Sequence, residues 1–519
     1  MDLLLGIDVG TSATKAVLCD PQGRVVATAS AEHPTSQPRP GWSEQDPRDW
    51  WGSSVRATRA ALAAAGRREN GMGVKGIGLS GQMHGSVLLG SEAATGGGER
   101  AEPLRAALLW NDQRTASECA WIEQRAGGRR SLVELVGNAA LTGFTLPKLV
   151  WVRRHEPEVY RRVALLLLPK DYVRLRMTGQ AATDVGDAAG TLLFDVERRA
   201  WSAKATGLFE VDPAILPPAL ESAAGAGRLT RWAAGELGLA EGTPVVAGSG
   251  DNQAGAVGAG VVSPGRVLAT LGTSGVIYAH ADRPRKDLGE VSGRVHTMCA
   301  ANGTGRGAGQ WSITGCMLSA GGSLRWCRET ICPGVGYEQM MAEAAAAPQG
   351  SGGLVFLPYL TGERCPYPDP GARGGWIGLT ARHGRGHLIR AVLEGVSFGM
   401  GQVLDLVRGI GVGVASVRAG GGGARSAFWR QMLADVFGSP VAMTNTEEGP
   451  AYGAALLAGA GIGVWPTVGA ACAACIGERD VAAPDAEASR AYAPSREVYA
   501  RLYEELRESF GALGAVDAG

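Results

Sequence analysis

Residues 243–279, TPVVAGSGDNQAGAVGAGVVSPGRVLATLGTSGVIYA, join an acidic residue cushioned by glycines to a strand-turn-strand unit. Residues 245–247 are short, apolar and largely β-branched, which predicts a buried strand. Gly248 and Gly250 then permit a tight turn where a side chain would obstruct it. Asp251 therefore stands at the mouth of a strand. A carboxylate in that place is suited to binding a metal, to accepting a proton, or to capping the small-residue helix predicted over 252–260.

The second half of this stretch has an echo at the N-terminus. Residues 3–12, LLLGIDVGTS, run from a strand into a Gly-Thr-Ser turn, and a second strand is predicted over 15–19. Residues 267–279 repeat that plan with Gly272-Thr273-Ser274 in the turn. Two hairpins of one design, half a chain apart, predict a duplicated domain. In each turn glycine lets a ligand approach the backbone closely, while N–H groups and the hydroxyls of Thr11, Ser12 and Thr273 are offered to an anion. Two such turns facing each other suit the two ends of a polyphosphate, although each alone is also an ordinary hairpin turn.

The segments DLLLGIDVGTSATK, GIGLSGQMHGSVLL, LLWNDQR, LLPKDYVRLRMTG, GSGDNQAGAVG, LATLGTSGV, FLPYLTGERCPYPDP and AGGGGARSAFWRQMLADVFG follow one another along the chain. They resemble the successive motifs of the FGGY carbohydrate kinases, a family of the superfold shared by sugar kinases, heat-shock chaperones and actin, and are most similar to its xylulokinase branch. The likeness runs from Asp2 to about Gly463. It implies an α/β protein of two actin-like (ribonuclease H-like) domains of duplicated design, with the active-site cleft between them. The expected division is a sugar-binding domain over 1–250, a nucleotide-binding domain over 251–480, and a C-terminal helix and tail over 481–519 packed on the body.

What the resemblance implies for chemistry is transfer of a phosphoryl group from ATP, with Mg²⁺, to D-xylulose. Asp251 would be the general base, and Asp8 would help to hold Mg²⁺, where the residues alone allow a plain turn carboxylate. Met83, His84 and Asn252 match substrate-contact positions. Trp110 is suited to covering an apolar face of a sugar, and Asn111 and Asp112 to accepting its hydroxyls or else to capping a helix. Lys170 would bring a cation to the sugar end of the cleft, or make a surface salt bridge. Thr11, Ser12, Gly272 and Thr273 would bind phosphates, and Gly421 and Gly422, in the four-glycine turn after a strand over 414–419, would lie against adenosine. Asn445 and Glu448 are candidates for ribose or adenine. No lysine-bearing GxxxxGK loop occurs in the sequence, so ATP must be held by the hairpins and the glycine turn. At Ser86, Gln113 and Gln253 the chain departs from the familiar pattern, which bears on the sugar more than on the reaction. A kinase for another ketopentose or a polyol, and a non-enzymatic nucleotide switch of the same superfold, stay open as alternatives.

Composition agrees with this reading. The 519 residues suffice for two or more domains, and a formal net charge of zero points to neither nucleic acid nor an anionic membrane as partner. Residues 1–4, Met-Asp-Leu-Leu, lead directly into a strand, and no apolar run approaches the ~20 residues of a membrane span. With nine scattered cysteines, the expectation is a cytoplasmic protein with reduced thiols, and a homodimer is left open. Cys472 and Cys475 have redox spacing but read as helix packing among small residues. Residues 303–308 partly match a dinucleotide fingerprint but no strand leads into them. Gly395-Val396-Ser397-Phe398-Gly399 has the spacing of a hydrolase elbow, yet it lies within a helical repeat over 387–400. Residues 91–102 read as a surface insertion. A helix over 495–510 is expected to dock through Val498, Leu502, Leu506 and Phe510.

Overall fold

The computed structural model describes residues 2–66, 73–95, 97–304 and 310–517. The first half opens with strands β1 (Leu3–Val9), β2 (Ala13–Cys19) and β3 (Val25–Glu32), followed by helix α1 (Pro47–Ala64) and strand β4 (Val74–Gly81). Asp46 caps α1 by accepting from the Arg48 amide at 2.9 Å, with Pro47 preset for the first helical turn. Helices α2 (Thr145–His155) and α3 (Pro169–Thr178) precede β5 (Gly225–Arg228), β6 (Pro244–Val246) and the short β7 (Ser249–Gly250), from which α4 (Asp251–Gly258) starts. The second half contains β8 (Gly265–Leu271), β9 (Gly275–Ala281), β10 (His296–Cys299), β11 (Trp311–Met317), α5 (Gly321–Thr330), α6 (Arg385–Gly409), β12 (Val414–Gly420), α7 (Ala427–Phe437), β13 (Val441–Thr444), α8 (Gly449–Gly461), β14 (Glu478–Ala482) and α9 (Ala486–Asp517).

The strands form two 7-stranded mixed sheets, ordered β5-β6-β4-β1-β2-β3, with β7 added on β4, and β10-β11-β9-β8-β12-β13-β14. The expected duplication is visible in the pairing. β1 is antiparallel to β2 and parallel to β4, just as β8 is antiparallel to β9 and parallel to β12. Each sheet buries one face under a long helix. Leu5, Ile7 and Leu79 share a core with Trp50 and Leu62 of α1, and Val267, Ala269 and Ile277 share one with Leu393, Val396 and Leu404 of α6.

The halves meet through bare backbone. Helix α8 lies on the other face of the first sheet and against α4. A Cβ added to Gly6 would strike the Ala451 carbonyl, one on Gly78 the Ala454 carbonyl, and one on Gly453 the Ala254 carbonyl. Glycine at these positions allows a closer approach than side chains permit.

Two local expectations are corrected, and the rejection of a nucleophile at Ser397 is upheld. The described residues of 91–102 lie largely at the surface as expected, with Glu92, Glu99, Arg100 and Glu102 exposed, but they are not a plain loop. They form a helix over Ser91–Thr95 and a 3-10 turn over Gly98–Arg100, and Tyr172 Oη donates to the Ala101 carbonyl at 3.0 Å. The terminal helix docks through the expected Leu502, Leu506 and Phe510 and also through Tyr492, Tyr499 and Tyr503, whereas Val498 is exposed, because aromatic residues at a neighbouring register supply more burial. Ser397 is buried in α6, donating to the Leu393 carbonyl at 2.7 Å and accepting from Trp429 Nε1 at 3.0 Å, which leaves no exposed nucleophile. The glycine-rich run 303–308 falls mostly outside the described residues.

Gly453→Ala should therefore be costly. Urea denaturation is expected to show a loss on the order of 1–3 kcal/mol. Gly413→Ala, where an added Cβ would meet nothing within 4 Å, should change stability by less than about 0.5 kcal/mol.

Candidate active site

The row Asp8–Ser80–Ser249 crosses three adjacent strands: Asp8 pairs with Ser80, and Ser80 pairs with Ser249. Asp251 follows two residues after Ser249, at the first position of α4, with Gly250 rather than Asp251 as the cap. The capping alternative is thus not realised. Two strand spacings put the backbones of Asp8 and Ser249 roughly 10 Å apart, so both carboxylates serve one end of the sheet. Burial and then the charge of Asp8 push the Asp251 carboxyl up to about 7. Burial pushes Asp8 up to about 6, with the Ser80 hydroxyl and Lys15 pulling back.

Asn252 Nδ2 donates to Asp251 Oδ1 at 3.1 Å and lies 3.6 Å from Met83 Sδ, so three of the expected sugar-side residues are contiguous. His84 adopts a left-handed backbone conformation, φ 70°, unusual for a side-chain-bearing residue. Its carbonyl accepts from Thr145 Oγ1 at 3.1 Å and from Lys148 Nζ at 3.3 Å. Lys148 also donates to the carbonyls of Gly143 and Phe144, and burial drives its amine down to about 7. The His84 ring stands edge-on to Phe144 at 4.6 Å, its Nδ1 buried and without a hydrogen-bond partner. Phe144 in turn touches His296 of the second sheet at 5.2 Å. Trp110 is 37% exposed, and its Nε1 donates to Thr11 Oγ1 at 2.9 Å, joining an expected sugar residue to an expected phosphate residue.

The two turns are held differently. In the first, the Gly10 carbonyl contacts His33 Nε2 at 3.1 Å and the Thr11 carbonyl accepts from Gln45 Nε2 at 2.6 Å, while Ser12 is exposed. In the second, the carbonyls of Gly272 and Thr273 accept from the amides of Gly321 and Gly322 at 2.8 and 3.0 Å. Gly421 presses on the Leu271 backbone at φ 82°, and an added Cβ on Gly422 would meet nothing within 4 Å. The glycine turn thus lies beside the second hairpin with one face open.

Other expected residues are already engaged. Lys170 is fully buried, its Nζ 2.6 Å from Asp171, 2.8 Å from Asp184 and 3.5 Å from Asp187, so the surface-bridge alternative is wrong. Asp184 also accepts from Ser249 Oγ at 2.9 Å, which ties this charge network to the strand that presents Asp251. Asp112 accepts from the Ser43 amide at 2.7 Å and from Arg114, as a structural carboxylate. Asn445 uses its side chain on the Cys475 carbonyl at 3.1 Å and the Gly477 amide at 3.0 Å. Glu448 pairs with Lys15, a bridge between the two halves. Cys472 and Cys475 are free, and Cys472 Sγ donates to the Val257 carbonyl at 3.3 Å. Of the unusual positions, Gln253 is buried with both amide atoms unpartnered, Ser86 is buried, and Gln113 Oε1 accepts from Thr142 at 2.8 Å. Sequence reasoning missed Ser80, Thr145, Lys148, His296 and the Gly321-Gly322 pair. Of these only the paired glycines carry a readable signal.

The Asp8 carboxylate has an oxygen without a hydrogen-bond partner, which suits Mg²⁺, an ion that takes one or two carboxylates and completes its shell with water and substrate phosphates. Among the described residues no group of three or more His, Cys, Asp or Glu is disposed to hold a metal alone. Nor is any described helix long and apolar enough to cross a membrane.

Comparison with known proteins gives a consistent result. The model of the N-terminal domain of the FGGY family of carbohydrate kinases matches residues 3–258, and that of the C-terminal domain matches 267–462. The chain is 41% identical to the xylulose kinase of Escherichia coli, over 97% of this chain and 99% of that one. It is 38% identical to the xylulose kinase of Bacillus subtilis, over 99% of both. The crystal structure of xylulose kinase from Rhodospirillum rubrum superposes with a TM-score of 0.87 at 30% identity, over 98% of this chain and 100% of that one.

The raised Asp251 carboxyl has a thermodynamic signature. Its ordinary value is 3.8 and the folded chain holds it at about 7, so the ionised form is penalised on folding and stability from this group is lost as pH rises through that window. Asp251→Asn should stabilise the ligand-free protein by on the order of 1–3 kcal/mol at pH 8, with a gain that grows from pH 4 to 7 and then levels off. Thermal unfolding against pH measures this; a gain independent of pH would contradict it.

Proposed function

The chain belongs to the FGGY family of carbohydrate kinases, and from that membership we propose that it transfers the γ-phosphoryl group of ATP to D-xylulose, forming D-xylulose 5-phosphate. The observation that carries the chemistry is Asp251, held near neutral pKa beside Met83 and Asn252 and within the field of Asp8. The choice of sugar draws on the full-length likeness to xylulose kinases.

In this reading the sugar lies against Met83, His84, Asn252 and Trp110. Its hydroxyl is a weak nucleophile, and Asp251 takes the proton as the oxygen attacks phosphorus. A base near pH 7 is matched to that task, since it is substantially ionised yet still basic enough to hold the proton. Thr11 and Ser12 on one side and Thr273 on the other donate to phosphate oxygens, with Gly272 leaving the backbone bare beside them, while Gly421 and Gly422 leave a flat, open surface for adenosine. Asp8 would hold Mg²⁺ arriving with the nucleotide, which when bound offsets phosphate charge. Lys170 acts from behind: with Asp184 and Ser249 it fixes the strand that presents the base. Closure of the cleft over both substrates would exclude water and limit idle hydrolysis of ATP. In the same reading residues 1–250 bind the sugar, residues 251–480 the nucleotide, and 481–519 pack on the body.

The test is ADP release from ATP and Mg²⁺ across ketopentoses, aldoses and polyols. D-Xylulose should lead by at least ~10-fold in kcat/KM, and Asp251→Ala should lower kcat by about 10²–10⁴-fold. Another leading sugar would move the substrate to a different ketopentose or polyol, with Gln253 the first residue to examine. Absence of stimulation by any sugar, with ATP still bound, would favour a nucleotide switch instead.

A further inference from the structure

The cations around this site are nearly all spent. Lys15 is paired with Glu448, Lys148 with backbone carbonyls, and Lys170 with three carboxylates. Several arginines of the interior are likewise matched, as in Arg199 with Glu221 and Arg390 with Glu394, although Arg285 leaves its buried Nε without a partner away from the site. Arg364 is different. It is half-buried, yet its guanidinium makes no hydrogen bond or ion pair among the described residues.

The position of Arg364 is well determined by its backbone. Glu363 Oε1 accepts from the Leu318 amide at 2.8 Å and from the Arg364 amide at 2.7 Å. Leu318 follows Met317, which pairs with Gly275 directly after the Gly272-Thr273-Ser274 turn. The Glu363 carboxylate therefore staples Arg364 beside the second phosphate hairpin. The loop is closed on itself by reciprocal hydrogen bonds between Glu363 and Asp369 at 2.8 and 3.0 Å. On the sugar side, His296 pairs with Thr314 on the same strand β11, and the Phe144 ring connects His296 to His84. The positive charge of Arg364 reaches both ends of this path, since it helps to depress His84 and His296 and acts on Cys316 opposite the turn.

Glu363 beside it supplies the nearest negative charge, but burial pushes that carboxyl up to about 7 and one of its oxygens is spent on backbone amides. A half-buried guanidinium with no hydrogen-bonded partner, close to the Gly272-Thr273 turn, is therefore costly unless an anion arrives to meet it. The reaction brings one. Asp8 and Asp251 both add negative charge where a phosphoryl group must pass, the hairpins contribute only neutral donors, and a planar fork of N–H donors matches phosphate oxygens.

We propose that Arg364 binds the phosphoryl group in passage from nucleotide to sugar and retains the phosphate of the sugar-phosphate product. This rests on the kinase reading above for its substrate, but the anion site itself stands on the placement of Arg364. The residue then has a catalytic role, contacting the reacting group directly. Glu363 is a positioning residue that holds the Arg364 loop against β11.

The test compares the parent chain with Arg364→Gln and Arg364→Lys. Arg364→Gln should lower kcat by about 10²-fold and weaken D-xylulose 5-phosphate as a product inhibitor by at least ~10-fold, with ADP binding and the KM for D-xylulose within about 3-fold of the parent. Arg364→Lys should recover part of the product affinity, and added guanidinium should partly restore turnover to Arg364→Gln. Unchanged kcat and product inhibition in Arg364→Gln would overturn the proposal. So would an equal loss of D-xylulose and product affinity, which would make Arg364 a contact to sugar hydroxyls instead. If either variant fails to fold, as judged by lost ADP binding, the parent still decides: inorganic phosphate should protect Arg364 from phenylglyoxal, read by peptide mass, and absence of protection overturns the assignment. Protection in a parent that phosphorylates no sugar would retain the anion site and reject the kinase reading.

Discussion

The structure depends on the close approach of α8 to α4 and to the first sheet. Gly6, Gly78 and Gly453 each face a backbone carbonyl of the opposing element, with no room for a methyl group. That contact brings the second half of the chain onto the sheet that carries Asp8 and onto the helix that starts with Asp251. Lys15 and Glu448 add an ion pair across the same junction. Leu4, Val17, Val246, Val257, Tyr452 and Leu456 fill the surrounding core, so small residues set the distance and larger ones supply the burial.

Electrostatics then follow from where the strands end. Asp8 and Asp251 stand at one end of the same sheet; burial raises the cost of ionising both, and the charge of Asp8 adds to that cost at Asp251. One consequence is an Asp251 carboxyl shifted toward neutral pH, which suits it to the role of base proposed above. The other is local negative charge that must be offset when a phosphate enters, which gives a free cation such as Arg364 its value. The buried Lys170 network has a different task. Its charge is already matched by Asp171, Asp184 and Asp187, and burial leaves it little freedom to move.

Much of this was legible in the sequence because it is local. A Gly-Thr-Ser turn between two apolar strands, an acidic residue after a strand, and four glycines between strand and helix each announce their backbone form within about ten residues. Repetition of the hairpin disclosed the duplication, and the order of motifs disclosed the family. What stayed hidden is long-range. Nothing near Lys170 reveals that Asp184 and Asp187 will fold against it, and the partners of Lys148 are carbonyls, which no side-chain pattern encodes. The docking face of α9 was read correctly at Leu502, Leu506 and Phe510 but not at Val498, because Tyr492, Tyr499 and Tyr503 bury more surface against the second core. Residues 91–102 look like a low-complexity insertion, yet Gly98 fits where a side chain would strike the end of α3.

The most direct test of the account is a crystal structure of the chain with D-xylulose and a non-hydrolysable ATP analogue. The account predicts the terminal hydroxyl of the sugar within about 3 Å of the Asp251 carboxylate and in line with the γ-phosphorus, whose oxygens lie between the Thr11 and Thr273 turns. A sugar bound away from Asp251, or a γ-phosphate held outside the two turns, would contradict it.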